Sequence, residues 1–209
     1  MDKNQNEKNI GMMQIPLEEM DSFRKGMFTD YVEELKEKTG LKEVDIPFES
    51  YFENGGREED CLNIPYYFID RSNNSKVGFA LIAEPYSGPN DMILWQFYID
   101  EKLRETGVKG LGTECARVLL SRHPGVTVLK FYNKNTAAKN FWAKVAREFG
   151  IGIPDKDGNK HRWSPSEPSD PSTWYQFTIQ SGINGIASDK RTFMLGNKQH
   201  LKGDGLSVN

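Results

Sequence analysis

The sequence predicts an α+β fold: one domain with a largely antiparallel sheet and helices packed against it. Three observations carry this. First, "NIPYYFID" and "VGFALIAE" are apolar, aromatic and β-branched runs joined by the polar turn "RSNNSK", the pattern of a hairpin. Second, the run "MILWQFYI" (92–99) follows after one further break and suits a central strand. Third, helix and strand alternate only after that point. A doubly wound parallel sheet would need the alternation throughout.

The elements follow in order. Residues 1–12 are polar and read as a disordered N-terminus. From Leu17 to Lys38, Phe23, Met27, Tyr31 and Leu35 recur every four positions, which predicts an amphipathic helix stopping near Gly40. "VDIPFESYFENGGREED" is a short helix or an irregular segment ending in a turn at Gly55 and Gly56. After the hairpin and the central strand come a helix from Thr113 to Ser121, the strand "GVTVLKFY" (125–132), and a helix from Thr136 to Phe149 with Ala138, Phe141, Trp142 and Val145 on one face. A loop rich in Pro, Ser and Asp (151–173) leads to a last strand, "WYQFTI". The domain therefore spans 13–179, and 180–209 form a Gly-, Asn- and Lys-rich extension, disordered in part.

The bulk numbers exclude several classes. With 27% charged residues, a formal charge of −3 and no basic tract, the chain is a water-soluble protein rather than a nucleic-acid binder. No apolar run approaches membrane-spanning length, and "MDKNQNEKNIGMMQ" lacks the apolar core of a secretory signal, so a cytoplasmic protein without membrane contacts is expected. Cys61 and Cys115 have no metal-ligand spacing around them and read as two unpaired thiols; no metal is expected.

The segment "ETGVKGLGTECARVLL" (105–120) places Gly107, Gly110 and Gly112 between the central strand and a helix. Amides in the first turn of a helix lack intrahelical partners and, with the helix dipole, hold anions; glycine lets the backbone approach one closely. Residues 108–113 thus form either a pyrophosphate cradle, with Lys109 as supporting charge, or a turn that merely reverses the chain. A Walker A loop would end in Gly-Lys-Ser/Thr, and a dinucleotide fingerprint has the opposite glycine spacing. Neither fits, which leaves coenzyme A as the phosphate-bearing ligand.

Downstream, "NTAAKNFWAK" (135–144) sets Asn135 before the next helix, as a cap or a polar ligand contact. Ala138 leaves room beside that helix, and Phe141 and Trp142 read first as core aromatics. Together, "VKGLGTE" and the Asn-x-x-Ala-x-x-Phe-Trp run, with a strand between them, resemble the Gcn5-related N-acetyltransferase (GNAT) superfamily. The likeness covers residues 60–150 well and 151–179 loosely.

The resemblance implies a mixed, mostly antiparallel, centrally splayed sheet flanked by helices, with acetyl-CoA as cosubstrate. Val108, Lys109, Gly110, Leu111, Gly112 and Thr113 would hold the pyrophosphate. Phe97, Tyr98 and Ile99 would line the pantetheine arm and acetyl carbonyl through the splayed strand, and Asn135, Ala138 and Phe141 would line the cofactor side. It further implies acetyl transfer to a primary amine, a small molecule before a protein, and allows a homodimer. Two positions depart from the family pattern. Gly107 stands where a Gln or Arg is usual, and Trp142 stands where a tyrosine often protonates the thiolate, which an indole cannot do.

Candidates for the proton transfers are Glu84, Asp100 and Glu101 as bases and Tyr98 or Tyr132 as acid, while Gln96 replaces a glutamate common on the central strand. His123 and His161 are expected at the surface. The acids near the first helix and the hairpin, among them Glu18, Glu19, Asp21, Glu33, Glu53, Glu58, Glu59 and Asp60, either attract a cationic amine or form a solvated face. Two alternatives stay open: an inactive acyl-CoA-binding or regulatory module on the same fold, and an unrelated α+β domain whose glycines only turn the chain.

Overall fold

The computed structural model describes residues 9–43, 46, 48–87, 91–105, 110–132, 135–149, 153–154, 160–161 and 174–181. Six strands form one sheet: β1 (Ile10–Gln14), β2 (Cys61–Asp70), β3 (Ser75–Pro85), β4 (Met92–Ile99), β5 (Gly125–Tyr132) and, beyond the short pair β6 (Ile153–Pro154) and β7 (Lys160–His161), β8 (Trp174–Ser181). Their spatial order is β1-β2-β3-β4-β5-β8. Every neighbouring pair is antiparallel except β4 and β5, which run parallel. The sheet is therefore mixed and mostly antiparallel, as the sequence predicts.

One difference lies at the start. Residues 10–12, expected in the disordered N-terminus, belong to the edge strand β1, paired from Ile10 opposite Asp70 to Gln14 opposite Tyr66, with Ile10 buried in the core. Five residues of mixed polarity carry little periodic signal; the partner strand supplies the ladder that orders them. Residues 1–8 lie outside the described residues, as do 182–209.

A second difference lies in the first helical segment. It comprises α1 (Met20–Phe23), a π-helical turn (Arg24–Phe28) and α2 (Thr29–Thr39), ended by Gly40 at φ +72°. The wide turn, in which Gly26 leaves helical geometry, breaks the period of four. Phe28 instead of Met27 becomes the buried neighbour of Phe23, with ring centroids 5.8 Å apart.

The two faces of the sheet carry separate cores. On one, α4 (Leu111–Arg122) and α5 (Thr136–Phe149) bury Leu119, Val145 and Trp142 against Phe68, Ile82 and Leu94; α3 (Glu101–Glu105) is a short helix directly after β4. On the other, the α1–α2 segment buries Phe23 and Phe28 against Tyr67, Phe79 and Tyr98. Strand β4 serves both through a bulge: Leu81 faces Gln96 while Ile82 faces Leu94, so Trp95 is the extra residue. The inserted residue resets the alternation, and Phe97 and Ile99 join Leu94 on the α4–α5 face while Tyr98 turns to α2. Among the described residues, no helix is long and apolar enough to cross a membrane. Among them, too, no group of three or more His, Cys, Asp or Glu is placed to hold a metal.

Candidate active site

The bulge precedes a parting of strands. The β4–β5 ladder runs only from Met92 opposite Thr127 to Leu94 opposite Leu129, whereas β4 stays paired with β3 as far as Ile99. Beyond Leu94 the two central strands separate, and the end of β4 loses its neighbour on that side. The gap is the floor of a cleft of about 460 Å³. A smaller recess of about 70 Å³ continues it between Gln96 and Phe97 of β4 and Phe131 and Tyr132 of β5.

The cleft is closed on one side by α4. Gly110, at φ +81°, is the residue that lets the chain turn into this helix, and a side-chain carbon there would meet nothing within 4 Å. The first intrahelical bond is donated by the Glu114 amide to the Gly110 carbonyl at 2.9 Å. The amides of Leu111, Gly112 and Thr113 thus lie in the first turn without an intrahelical acceptor, and all three residues line the cleft. At Gly112 the reason for glycine is packing: a Cβ would come to 3.3 Å from the Phe141 ring.

Helix α5 forms the adjoining wall. The Asn135 side-chain oxygen accepts a hydrogen bond from the Ala138 amide at 3.0 Å and so caps the helix, while Asn135 and Ala138 both line the cleft. Phe141 stacks on Phe97 at 5.6 Å between centroids, and Trp142 meets the same ring edge-on at 5.1 Å. Trp142 is buried, while Phe141 is partly exposed to the cleft.

Helix α2 supplies the opposite wall. Tyr31, Glu34, Leu35 and Lys38 follow the i, i+3, i+4, i+7 spacing of one helix face, and all four line the cleft. Glu34 pairs with Lys38 and with Arg104, a residue of α3 whose Nε also donates to the Ile99 carbonyl at 2.9 Å. Lys38, Arg104 and Lys144 outnumber Glu34 at the rim, giving the cleft a positive mouth suited to a polyphosphate.

Deeper in, the Tyr31 hydroxyl donates to the side-chain oxygen of Gln96. Burial, then the neighbouring Tyr132 hydroxyl and the Glu34 carboxylate, push the Tyr31 phenol well above its ordinary range. Tyr31 therefore remains a donor at any physiological pH, and the Gln96 oxygen remains occupied.

No protein-family model matches the sequence, and no curated protein matches it. Solved structures match by fold. An acetyltransferase from Thermus thermophilus superposes at a TM-score of 0.52 with 12% identity, covering 81% of this chain and 96% of that one. A spermidine N-acetyltransferase from Vibrio cholerae, solved with CoA and spermine, superposes at 0.52 with 10% identity, covering 83% and 96%. A domain from Methanocaldococcus jannaschii does so at 0.52 with 11% identity, covering 81% and 98%. The fold is that of the Gcn5-related N-acetyltransferases.

Within this GNAT fold the residues singled out from the sequence are distributed unevenly. Phe97, Tyr98, Ile99, Gly110, Leu111, Gly112, Thr113, Asn135, Ala138 and Phe141 line one cleft. Val108 and Lys109 lie outside the described residues, as does Gly107. Tyr132 lines the inner recess. Tyr98 packs edge-on to Tyr31 at 5.6 Å, and burial raises its pKa.

The carboxylate candidates are not brought to the cleft. Glu84 sits at the far end of β3, where Oε1 is 2.7 Å from Nδ1 of His123. Asp100 accepts the Lys102 amide at 2.9 Å and caps α3, and Glu101 is exposed. His123 is only 4% exposed, contrary to the surface position expected of it: the C-terminal end of α4 turns it inward against Tyr66, where Glu84 meets it. His161 falls on β7.

The acids near the first helix and the hairpin do not line the cleft; Glu19 pairs with Lys76, Asp21 with Lys25 at 3.8 Å and Glu33 with Lys36 at 2.9 Å. They form a solvated face. Sequence reasoning missed Tyr31, Glu34 and Arg104 as site residues. Tyr31 was visible as part of an apolar stripe, but only the π turn and the splayed strands aim it at Gln96.

Proposed function

We propose that the chain transfers an acetyl group from acetyl-CoA to a primary amine. The observation that carries this is the continuity of one space: helix-terminal amides and glycines at its mouth, a wall of small and aromatic residues, and at its end a central strand freed of its neighbour. The residues fit coenzyme A. Gly110 leaves open space where a side chain would stand, the first-turn amides of α4 and the rim cations suit a diphosphate, and the long narrow wall suits the pantetheine arm. The acetyltransferase neighbours share this fold, and one of them was solved with CoA.

In this reading Gly110, Leu111, Gly112 and Thr113, with Val108 and Lys109 before them, hold the diphosphate. Phe97, Tyr98 and Ile99 supply backbone groups along the arm, and Asn135, Ala138 and Phe141 shape its other side. The bound cosubstrate supplies an acyl thioester, so amide formation joins nitrogen to the carbonyl carbon, breaks the carbon–sulfur bond and moves one proton from nitrogen to the thiol. Tyr132 is assigned the donor role near the thiol, since Trp142 cannot fill it. Tyr31 holds Gln96 in one orientation over the recess.

The test has two parts. Coenzyme A raises the melting temperature if it binds the native state, because a ligand that prefers that state stabilises it. A thiol-release assay with acetyl-CoA and a panel of amines then reads transfer. Absence of any thermal shift at millimolar coenzyme A removes the reading; binding without turnover on any amine reduces it to an acyl-CoA-binding module.

A further inference from the structure

We infer that Arg104 binds the diphosphate of coenzyme A, at the point where the pantetheine arm leaves the open edge of β4. This rests on the cofactor reading above and adds a residue to that same site. Asp100 donates its amide to the Val77 carbonyl of β3 at 3.0 Å. The peptide between Ile99 and Asp100 is trans, so its carbonyl and amide point in opposite directions. The Ile99 carbonyl therefore faces away from β3, toward the side where β5 stops pairing after Leu94. Arg104 Nε donates to that carbonyl at 2.9 Å. The guanidinium thus sits at the end of β4, on the edge left open by the parting of the strands.

The same place adjoins the first turn of α4. Ile99 Cγ1 lies 3.7 Å from where a Cβ on Gly112 would stand, and Ile99, Arg104, Gly110, Gly112 and Thr113 line one cleft. Three contacts hold the guanidinium: the Ile99 carbonyl, the Glu34 carboxylate and the face of Tyr98, whose centroid is 5.8 Å from Cζ. Among the described residues, the two oxygen partners take two of its five N–H groups, and the side chain stays partly exposed. A planar fork held in this way suits phosphate oxygens, because little freedom is left to lose on binding. Glu34 also pairs with Lys38, so one carboxylate offsets the repulsion between two cations and the group keeps a net positive charge. In coenzyme A the diphosphate is the anion next to the pantetheine arm, and the ribose phosphate lies further out. An arginine at the end of the edge along which the arm lies meets the diphosphate first.

Calorimetric titration with coenzyme A, dephospho-coenzyme A and pantetheine tests this. Arg104→Gln should weaken the first two equally, by about ten- to a hundredfold, and leave pantetheine within about threefold, which also shows that the variant folds. Arg104→Lys should recover only part of the loss, since an ammonium restores the charge but not the fork. Rising ionic strength should weaken coenzyme A binding to the parent more than to the glutamine variant. A residue that merely ties α3 to β4 would weaken all three ligands alike and leave the salt dependence unchanged; if pantetheine binds too weakly to titrate, the salt dependence decides. Coenzyme A bound by Arg104→Gln within about threefold of the parent, or an equal loss for pantetheine, overturns the inference while the transferase reading stands. A loss for coenzyme A alone, with dephospho-coenzyme A unchanged, moves the arginine to the ribose phosphate and overturns it as well. A parent protein that binds none of the three overturns both the inference and the transferase reading.

Discussion

Replacing Gly110 separates the cost to folding from the cost to the proposed cofactor cradle. The residue caps α4 at φ +81°, and an added Cβ meets nothing within 4 Å. Alanine there should cost only the left-handed backbone strain, about 1–2 kcal/mol. For a domain of this size that corresponds to a fall of roughly 2–8 °C in melting temperature. Asparagine, which tolerates this region better, should lose less. Gly110→Asp should fold like the alanine variant yet bring a carboxylate to the mouth where the diphosphate is placed. At an effective dielectric near 20, and after screening, the repulsion comes to about 2–3 kcal/mol, roughly a 30- to 150-fold rise in Kd for coenzyme A. Differential scanning calorimetry reads the first quantity and isothermal titration the second. A loss above about 12 °C for the alanine variant would mean that the position is sterically enclosed, against the open space found there. Coenzyme A affinity within about threefold of the parent for Gly110→Asp would refute the placement of the cradle.

Three further outcomes are expected. Glu84→Gln should leave acetyl transfer within about twofold, because Glu84 does not line the cleft, yet destabilise the fold by about 1–3 kcal/mol through the contact with buried His123; a collapse of kcat with unchanged stability would return Glu84 to the chemistry. Trp142→Ala should cost about 3–5 kcal/mol, since the indole is 5% exposed and packs edge-on to both Phe97 and Phe141; urea unfolding measures it, and a loss under about 1 kcal/mol contradicts the packing. The third concerns alkali. Burial raises the pKa values of Tyr31, Tyr51, Tyr66, Tyr67 and Tyr98 above their ordinary value of 10.0. The folded chain then keeps protons that the unfolded chain releases, so the contribution of these phenols to stability is level below about pH 10 and falls as pH rises above it. Absorbance at about 295 nm should show these phenols ionising together with unfolding; full ionisation in the folded protein, or an unfolding midpoint equal at about pH 9 and pH 11, speaks against it.

Much of this molecule is local in origin. The β2–β3 hairpin, β4, β5 and the two helices after the central strand are each specified by short-range patterns, and the Gly110–Gly112 and Asn135–Trp142 segments lie where strand meets helix. Their order along the chain implies the α+β class with a largely antiparallel sheet, and the resemblance of the two motifs to the GNAT pattern implies the splayed strands and one wall of the cleft. What escaped the sequence depends on contacts between distant segments. Strand β1 exists because β2 offers it a ladder, and the period of the first helix fails where the π turn inserts a residue.

The opposite wall of the site is wholly of this second kind. Tyr31 and Gln96 are 65 residues apart and meet only because α2 lies across the bulge in β4. Glu84 shows the converse: its residue type suits a base, but antiparallel pairing carries the end of β3 away from the splayed end of β4. Which elements form, and where a helix begins after a strand with glycines before it, is written locally in the chain, because both depend on neighbours a few residues away. Which side chains face one another across the gap between β4 and β5 is settled only in three dimensions, because strand separation, the bulge and the π turn set directions that no local pattern encodes.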